Sequence, residues 1–503
     1  MSAVNDHVDA TAVVEPAEVL KRQRSSFVAD GPPDLALRRN RIDRLVALVV
    51  DNADAFVDAL VDDFGSKSRL GTVSTEIVGA IAQIEHTRSH LRRWMRDTTL
   101  LRVARVAGLR AEVQPTPLGV VGIIGPWNFP LHLVILPCAA AFAAGNRVMI
   151  KMSEVTPATA DLLRRLAPRY FDATELAVVT GGADVAAAFA ALPFDHLFFT
   201  GSSDVGKLVQ RAAAQNLVPV TLELGGKNPV VVAPDADIDR AARRIALGRM
   251  VNGGQVCICP DQVFVPEDRA EQFVAAAKAT LARAFPSIVA DPEYPAVVNR
   301  ANYERILDLI EDARRRGAFI DSVVPPGEHL PDPVARKIAP TIVRGVDDAM
   351  AIAREEIFGP VLVVRPYTRL ADVIDHVNAG PAPLVTYWFG SDGSDFRDYL
   401  RRTRSGGVAR NEFGLQMLPS GAPFGGVGNS GMGAYHGKAG FDTFSHRRTV
   451  VGSDLPFMLT TSSAVQPFGR GARTIVDVTM RVARWRLRRR LGDNWLLGEG
   501  DSR

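Results

Sequence analysis

Cys257 lies in NGGQVCICP, between a helical-looking run and the apolar run QVFVP, so a small ionisable nucleophile stands at a Gly-bounded turn. Glu223 sits just before a Gly-Gly pair in LELGGKNPVVV, and Asn128 sits in the Pro-bounded loop GPWNFP. A nucleophile, a carboxylate base and an amide donor are the parts required for covalent chemistry on a carbonyl. Each also has a plain explanation by itself: a buried small hydrophobe, a strand-end acid and a turn residue. Only their occurrence together points to a reaction.

The elements that must position them are legible as periodicity. Leu35 to Gly65 carries Ile42, Leu45, Leu48, Val49 and Phe56 on helical spacing with Gly65 as a stop, and STEIVGAIAQIEHTRSHLRRWMR reads as a second amphipathic helix. LLRVARVAGLRAEVQPTPLGVVGII reads as a hairpin around Ala107-Gly108 running into a buried strand. From Ile124 onward strands and helices alternate: RVMIK, PATADLLRRLA, LAVVTGG, VAAAFAAL, HLFFTGS and VGKLVQRAAAQN. Such alternation predicts an α/β chain with a parallel, doubly wound sheet. A second αβ series starts at Pro229, and a smaller Gly-rich, strand-like piece follows Gly406. With 503 residues, two or three domains are expected.

No GxGxxG follows a strand. HLFFTGSSDVGKLVQ instead places Thr200, Gly201 and Ser202 between a strand and a helix expected to begin near Val205. Free N–H groups and the helix dipole at such a turn favour an anion, although a Gly turn before a helix is also simply a helix start.

In wording and order these segments resemble the aldehyde dehydrogenase superfamily, from the helix near Leu35 to about Val451. Within it they are most like class 3 and coniferyl-aldehyde dehydrogenase-like members, on ELGGKNPVVV, AARRIALGRMVNGGQVCICPDQVFV and PFGGVGNSGMGAYHGKAGFDTFSHRR. The resemblance implies an aldehyde dehydrogenase-like fold: a Rossmann-type cofactor domain at 16–98 and 118–222, and an α/β catalytic domain at 223–415. It also implies an oligomerisation hairpin and strand region at 99–117 and 416–455, with 456–503 left as a basic tail. It implies oxidation of an aromatic or medium- to long-chain aldehyde to the acid: Cys257 as nucleophile, Asn128 with the Cys257 N–H at the oxyanion, Glu223 activating water against the thioester. The FTGS turn would seat the pyrophosphate at Gly201 and Ser202, Lys151 and Glu154 would hold the adenosine ribose, and Glu356 and Phe358 of REEIFGPVL would meet the nicotinamide ribose. A carboxylate at Glu154 repels a 2′-phosphate, so NAD is expected over NADP, with NADP still possible. A homodimer is implied through the hairpin from Leu100 to Val113 and the strand after Phe444. Three positions depart from the family pattern: Met152 where Pro is usual, Cys259 where Ala is frequent, and ARNEFGLQML at the expected substrate mouth. Cys259 reads as packing in preference to a resolving thiol, on an extended backbone that would turn it away from Cys257.

Composition agrees with an ordinary enzyme: 47% hydrophobic, 23% charged and three cysteines, too few and of the wrong parity for a secreted disulfide framework. The acid-bearing N-terminus predicts no signal peptide, and prolines break the uncharged stretch between Glu112 and Arg147, so a cytoplasmic protein is expected. Of the net charge of +3, the segment from Pro467 contributes nine Arg against four acids, or +5, leaving −2 for the rest. Residues 473–492 there form a basic amphipathic pattern with Trp485. They read as a peripheral membrane contact at the inner surface in preference to a packed terminal helix, and no nucleic-acid partner is expected. The contrasting functional class is a retired enzyme fold serving as a scaffold through this Arg-rich tail.

Overall fold

The computed structural model describes residues 15–100, 108–456, 465, 466 and 468–491. The chain divides into two compact units, residues 1–96 with 115–447 and residues 97–114 with 448–503.

The larger unit holds two sheets. In the first, β3 (Val120–Ile124), β4 (Arg147–Lys151), β5 (Leu176–Val179), β6 (His196–Gly201), β7 (Val220–Leu224) and β15 (Gly431–Met432) run in the order β15-β7-β6-β3-β4-β5. All pairs are parallel except β15 with β7, where Gly431 stands opposite Glu223. β3 and β4 are buried throughout, which their Val and Ile content predicts for central parallel strands covered on both faces. The order reverses between β3 and β6, so the loops leaving these strands part and open a crevice at their C-terminal ends.

The second sheet has the order β10-β11-β12-β9-β8-β13-β14, built from β8 (Pro229–Val232), β9 (Gln262–Pro266), β10 (Phe319–Ser322), β11 (Thr341–Arg344), β12 (Val361–Tyr367), β13 (Val385–Phe389) and β14 (Gly407–Arg410). Only the edge strand β10 is antiparallel. A single apolar cluster includes Val121 and Phe198 of the first sheet and Val263 and Val385 of the second, so both are anchored in one core.

The expected helical run from Leu35 to Gly65 is two helices, Leu35–Val50 and Ala53–Phe64. The break at Asp51 and Asn52 lacks Gly or Pro; the Asn52 amide donates to Leu48 O at 2.8 Å and Tyr170 Oη at 3.1 Å instead of continuing the helix. The second predicted helix opens with a π-helical turn, Val73–Val78, before the α-helix Gly79–Trp94.

The smaller unit carries a three-stranded sheet in the order β1-β2-β16, from β1 (Thr98–Thr99), β2 (Leu109–Pro117) and β16 (Ser445–Ser453). β1, just before the expected hairpin, pairs antiparallel with β2, and Leu100 N donates to Ala111 O at 2.9 Å; the rest of the expected first arm, 101–107, lies outside the described residues. The predicted basic helix spans Arg470–Leu491 with no buried residue, while Gly492 and Trp495 lie outside the described residues.

Candidate active site

The turn carrying Cys257 is built by three consecutive left-handed residues: Asn252 at φ 50°, Gly253 at 63° and Gly254 at 79°. Only Asn and Gly enter this region readily, which is the local reason for the NGG sequence. A Cβ on Gly254 would lie 2.1 Å from Gly359 O, so the turn is also pressed backbone to backbone onto the segment after Phe358.

Gln255, fully buried, then anchors the turn: Nε2 donates to Asn252 O at 3.0 Å and Ala296 O at 3.1 Å, and Oε1 accepts from Val298 N at 3.0 Å. Its backbone oxygen accepts from Asn128 Nδ2 at 3.1 Å, so the amide of the loop after β3 is tied to the turn two residues before Cys257. One N–H of that amide remains for a further acceptor. Cys257 itself is half-buried, and its carbonyl accepts from Asn228 Nδ2 at 2.6 Å. Burial, and then the carboxyls of Glu356 and Glu223, push its thiol well up from the ordinary cysteine value.

Glu223 on β7 is 3% exposed, and neither carboxyl oxygen has a hydrogen-bond partner among the described residues. Burial alone raises its pKa well above the carboxylate range. Loss of water disfavours the ionised form, so the carboxylate here is a better base than an exposed one. Tyr435, also buried, has its hydroxyl pushed up by burial first and then by the charges of Glu223 and Cys257.

Glu356 and Phe358 follow the short helix Ala351–Arg354. Asp261 accepts from Ile357 N at 3.0 Å, Arg305 donates to Glu356 O at 3.1 Å and Ile357 O at 2.7 Å, and Lys227 donates to Glu355 O at 2.9 Å, so the backbone of this segment is held from three sides. The Glu356 carboxyl lies over Gly225, where a Cβ would meet its Oε2 at 2.0 Å. Burial and then Asp261 raise it to about 8. Phe358, at φ 53°, turns its ring edge-on to Trp127 with centroids 5.3 Å apart.

The other expected residues lie along the crevice at the strand ends. Lys151 ends β4, is 1% exposed, and donates to Met152 O at 2.6 Å with Glu154 Oε2 at 3.6 Å. Burial lowers its pKa and Glu154 opposes the shift. Gly201 ends β6, and Ser202 caps the helix Ser203–Ala214, which starts two residues earlier than expected, by accepting from Val205 N at 3.4 Å. Thr200 Oγ1 is buried there without a partner among the described residues. A helix N-terminus, a buried hydroxyl without a partner among the described residues, a buried ammonium and an exposed carboxylate fit a dinucleotide's phosphates and ribose hydroxyls. Met152 N donates to Val179 O at 3.0 Å, a bond that a proline there would forfeit.

Cys259 is 1% exposed with Sγ on Gly248 O at 3.5 Å and Arg249 O at 3.7 Å, and burial pushes its thiol up to about 12. Packing against a helix end is its observed state. The backbone between the two cysteines is a turn and not the extended segment expected, because Asn228 Nδ2 gathers both Cys257 O and Cys259 O, the latter at 3.0 Å. Sequence reasoning passed over Asn252, Gln255, Tyr435 and the buried Lys67 and Glu76. NGG was the one available signal, for Asn252.

Comparison with known proteins places these features in context. The model of the "Aldehyde dehydrogenase family" matches residues 23–450. A "Coniferyl aldehyde dehydrogenase" of Pseudomonas sp. is 45% identical over 432 residues, 86% of this chain and 89% of the relative. A "Probable coniferyl aldehyde dehydrogenase" of Caulobacter vibrioides is 44% identical over 91% of this chain and 95% of its own. A solved structure described as the substrate-bound state of Staphylococcus aureus AldH superposes with a TM-score of 0.85 at 32% identity, covering 92% of this chain and 99% of that one.

Proposed function

From the premise that the chain belongs to the aldehyde dehydrogenase family, we propose that Cys257, Glu223 and Asn128 carry out the oxidation of an aromatic or long-chain aldehyde to its acid. The observations that support this most are the hydrogen bond from the Asn128 amide to Gln255 O, two residues before the half-buried Cys257, and a buried Glu223 carboxyl with no hydrogen-bond partner among the described residues.

Cys257 attacks the aldehyde carbon as the thiolate, its partial exposure giving the released proton a route to water. The Cys257 N–H and the free N–H of Asn128 donate to the oxyanion of the thiohemiacetal. A nicotinamide held in the crevice would supply the hydride acceptor needed to bring this adduct to the thioester level. Glu223, once ionised, removes a proton from water as its oxygen adds to the thioester carbon, and the Cys257 thiolate leaves with release of the acid. Lys151, Glu154, Gly201 and Ser202 would hold the adenosine and phosphate end of the cofactor, and Glu356 and Phe358 its other ribose. The open Glu154 carboxylate selects NAD over NADP.

The coniferyl names of the relatives support an aryl-conjugated substrate. The exposed edge strand β16, with Val450 and Val451 outward, supports a homodimer formed there, because an unpaired edge of that length favours pairing with a second copy. Three free cysteines suit a reducing, cytoplasmic setting. No helix among the described residues is long and apolar enough to cross a membrane, yet the unburied helix Arg470–Leu491 with its Arg and Trp485 fits contact with an anionic membrane surface. Formation of reduced nicotinamide across a panel of aromatic and aliphatic aldehydes tests the central reading. Absence of reduction with every aldehyde would reject it and favour a scaffold.

A further inference from the structure

Beside the site lies a second group of buried polar side chains. Lys67 is 4% exposed, with Nζ 4.2 Å from the ring centre of Phe64 and 5.4 Å from that of Phe129. It donates to Asn252 Oδ1 at 2.6 Å. Glu76, fully buried on the π-helical turn, accepts from His132 N at 2.8 Å at the head of the helix that follows the Asn128 loop; burial lowers the pKa of the Lys67 ammonium to about 8, and Glu76 opposes that shift. Asn252 Nδ2 donates to Asn128 O at 3.2 Å and lies 3.5 Å from Gln255 O. The Asn252 amide therefore brackets the two segments that carry Asn128 and Cys257.

The orientation of this amide has a chemical cause. An ammonium offers only donors, so it can face Oδ1 alone, which leaves Nδ2 turned toward the two carbonyls. With the ammonium gone the amide can turn over. Oδ1 would then meet two carbonyl oxygens, and the bracket would open by repulsion.

We propose that Lys67 is a positioning residue of the oxyanion site: by fixing the Asn252 amide it holds the Asn128 loop at its working distance from the Cys257 turn. The inference rests on the assignment of Asn128 as oxyanion donor. Losing an oxyanion donor outright costs about a hundredfold to a thousandfold in rate, so a loosened one should cost about tenfold.

The test measures the burst of reduced nicotinamide and the cofactor Kd in the full-length enzyme for Lys67→Met, Asn128→Ala and the double variant. Lys67→Met should slow the burst about tenfold with cofactor Kd unchanged, and should add less than about twofold in the Asn128→Ala background. Lys67→Gln, whose amide can still donate to Oδ1, should recover most of the rate. If Lys67→Met fails to fold, Asn252→Gly accepts the positive φ, deletes the amide and should show the same slowing, with Lys67→Gln adding nothing further. Equal losses in both backgrounds, or an unaltered burst in Lys67→Met or Asn252→Gly, would overturn the inference. If Asn128→Ala itself keeps a full burst, the assignment of Asn128 falls and takes the inference with it; if that variant is slow and the Lys67 effect multiplies unchanged, only the inference falls.

Discussion

Glu223→Gln should have two effects of opposite sign, because the carboxyl is buried and has no hydrogen-bond partner among the described residues. The unfolded chain releases this proton near the ordinary carboxyl value of 4.5, while the folded protein retains it to higher pH. The stability that the group contributes is therefore complete below pH 4.5 and is lost as pH rises toward the folded value. Between those limits the parent loses up to about 1.4 kcal/mol per pH unit relative to the variant, whose amide does not titrate. The gap between their urea-unfolding free energies should thus widen with pH in favour of glutamine; any fixed difference from burying an amide shifts the curve without changing its slope. Activity should move the other way. In the parent, thioester hydrolysis should climb with pH as Glu223 ionises, and in the variant it should be flat and lower by about a hundredfold or more. A stopped-flow trace of the variant should accordingly show a burst of reduced nicotinamide followed by slow turnover. A stability gap that ignores pH would refute the buried-carboxyl argument, and equal loss of burst and steady rate would remove Glu223 from thioester hydrolysis.

Cys257→Ala should abolish aldehyde oxidation and leave cofactor affinity nearly unchanged, as read by turnover and by fluorescence titration, since it deletes the nucleophile and little volume. Glu154→Gln, at a side chain 48% exposed beside Lys151, should raise the NADP-to-NAD ratio of kcat/KM about fivefold, the size of roughly 1 kcal/mol of solvent-screened repulsion. Gly254→Ala must hold a Cβ at φ 79° and 2.1 Å from Gly359 O, so it should cost more than about 2 kcal/mol in urea unfolding; a loss below that would mean the turn relaxes freely. Truncation after Asp454 should abolish co-sedimentation with anionic vesicles at low salt, to which each basic residue adds about 1 kcal/mol, while turnover of short aldehydes persists. A full-length protein that ignores such vesicles at every salt concentration would defeat the membrane reading.

The sequence by itself determined what is local. The strand-helix alternation after Ile124 foretold the parallel sheet, because burial on both faces demands runs such as VVGII and RVMIK. NGG marked a Gly-bounded turn before Cys257, and the structure shows its three residues to be left-handed, a conformation that Asn and Gly enter cheaply. The types of Cys257, Glu223 and Asn128 stated a chemistry, and the phrases around them a family. Tertiary structure decided which groups meet. Asn128 reaches Gln255 across 127 positions and Lys67 reaches Asn252 across 185, and periodicity reports whether a side chain is buried but never against what. The break after Val50 carried no Gly or Pro to announce it, and the Asn52 amide there bonds both Leu48 O and the hydroxyl of Tyr170, 118 residues on. Likewise the lack of a partner for Glu223 among the described residues belongs to its surroundings. A carboxyl in a chain has no environment until the fold withdraws water from it, and that withdrawal is what turns an ordinary acid into a strong base.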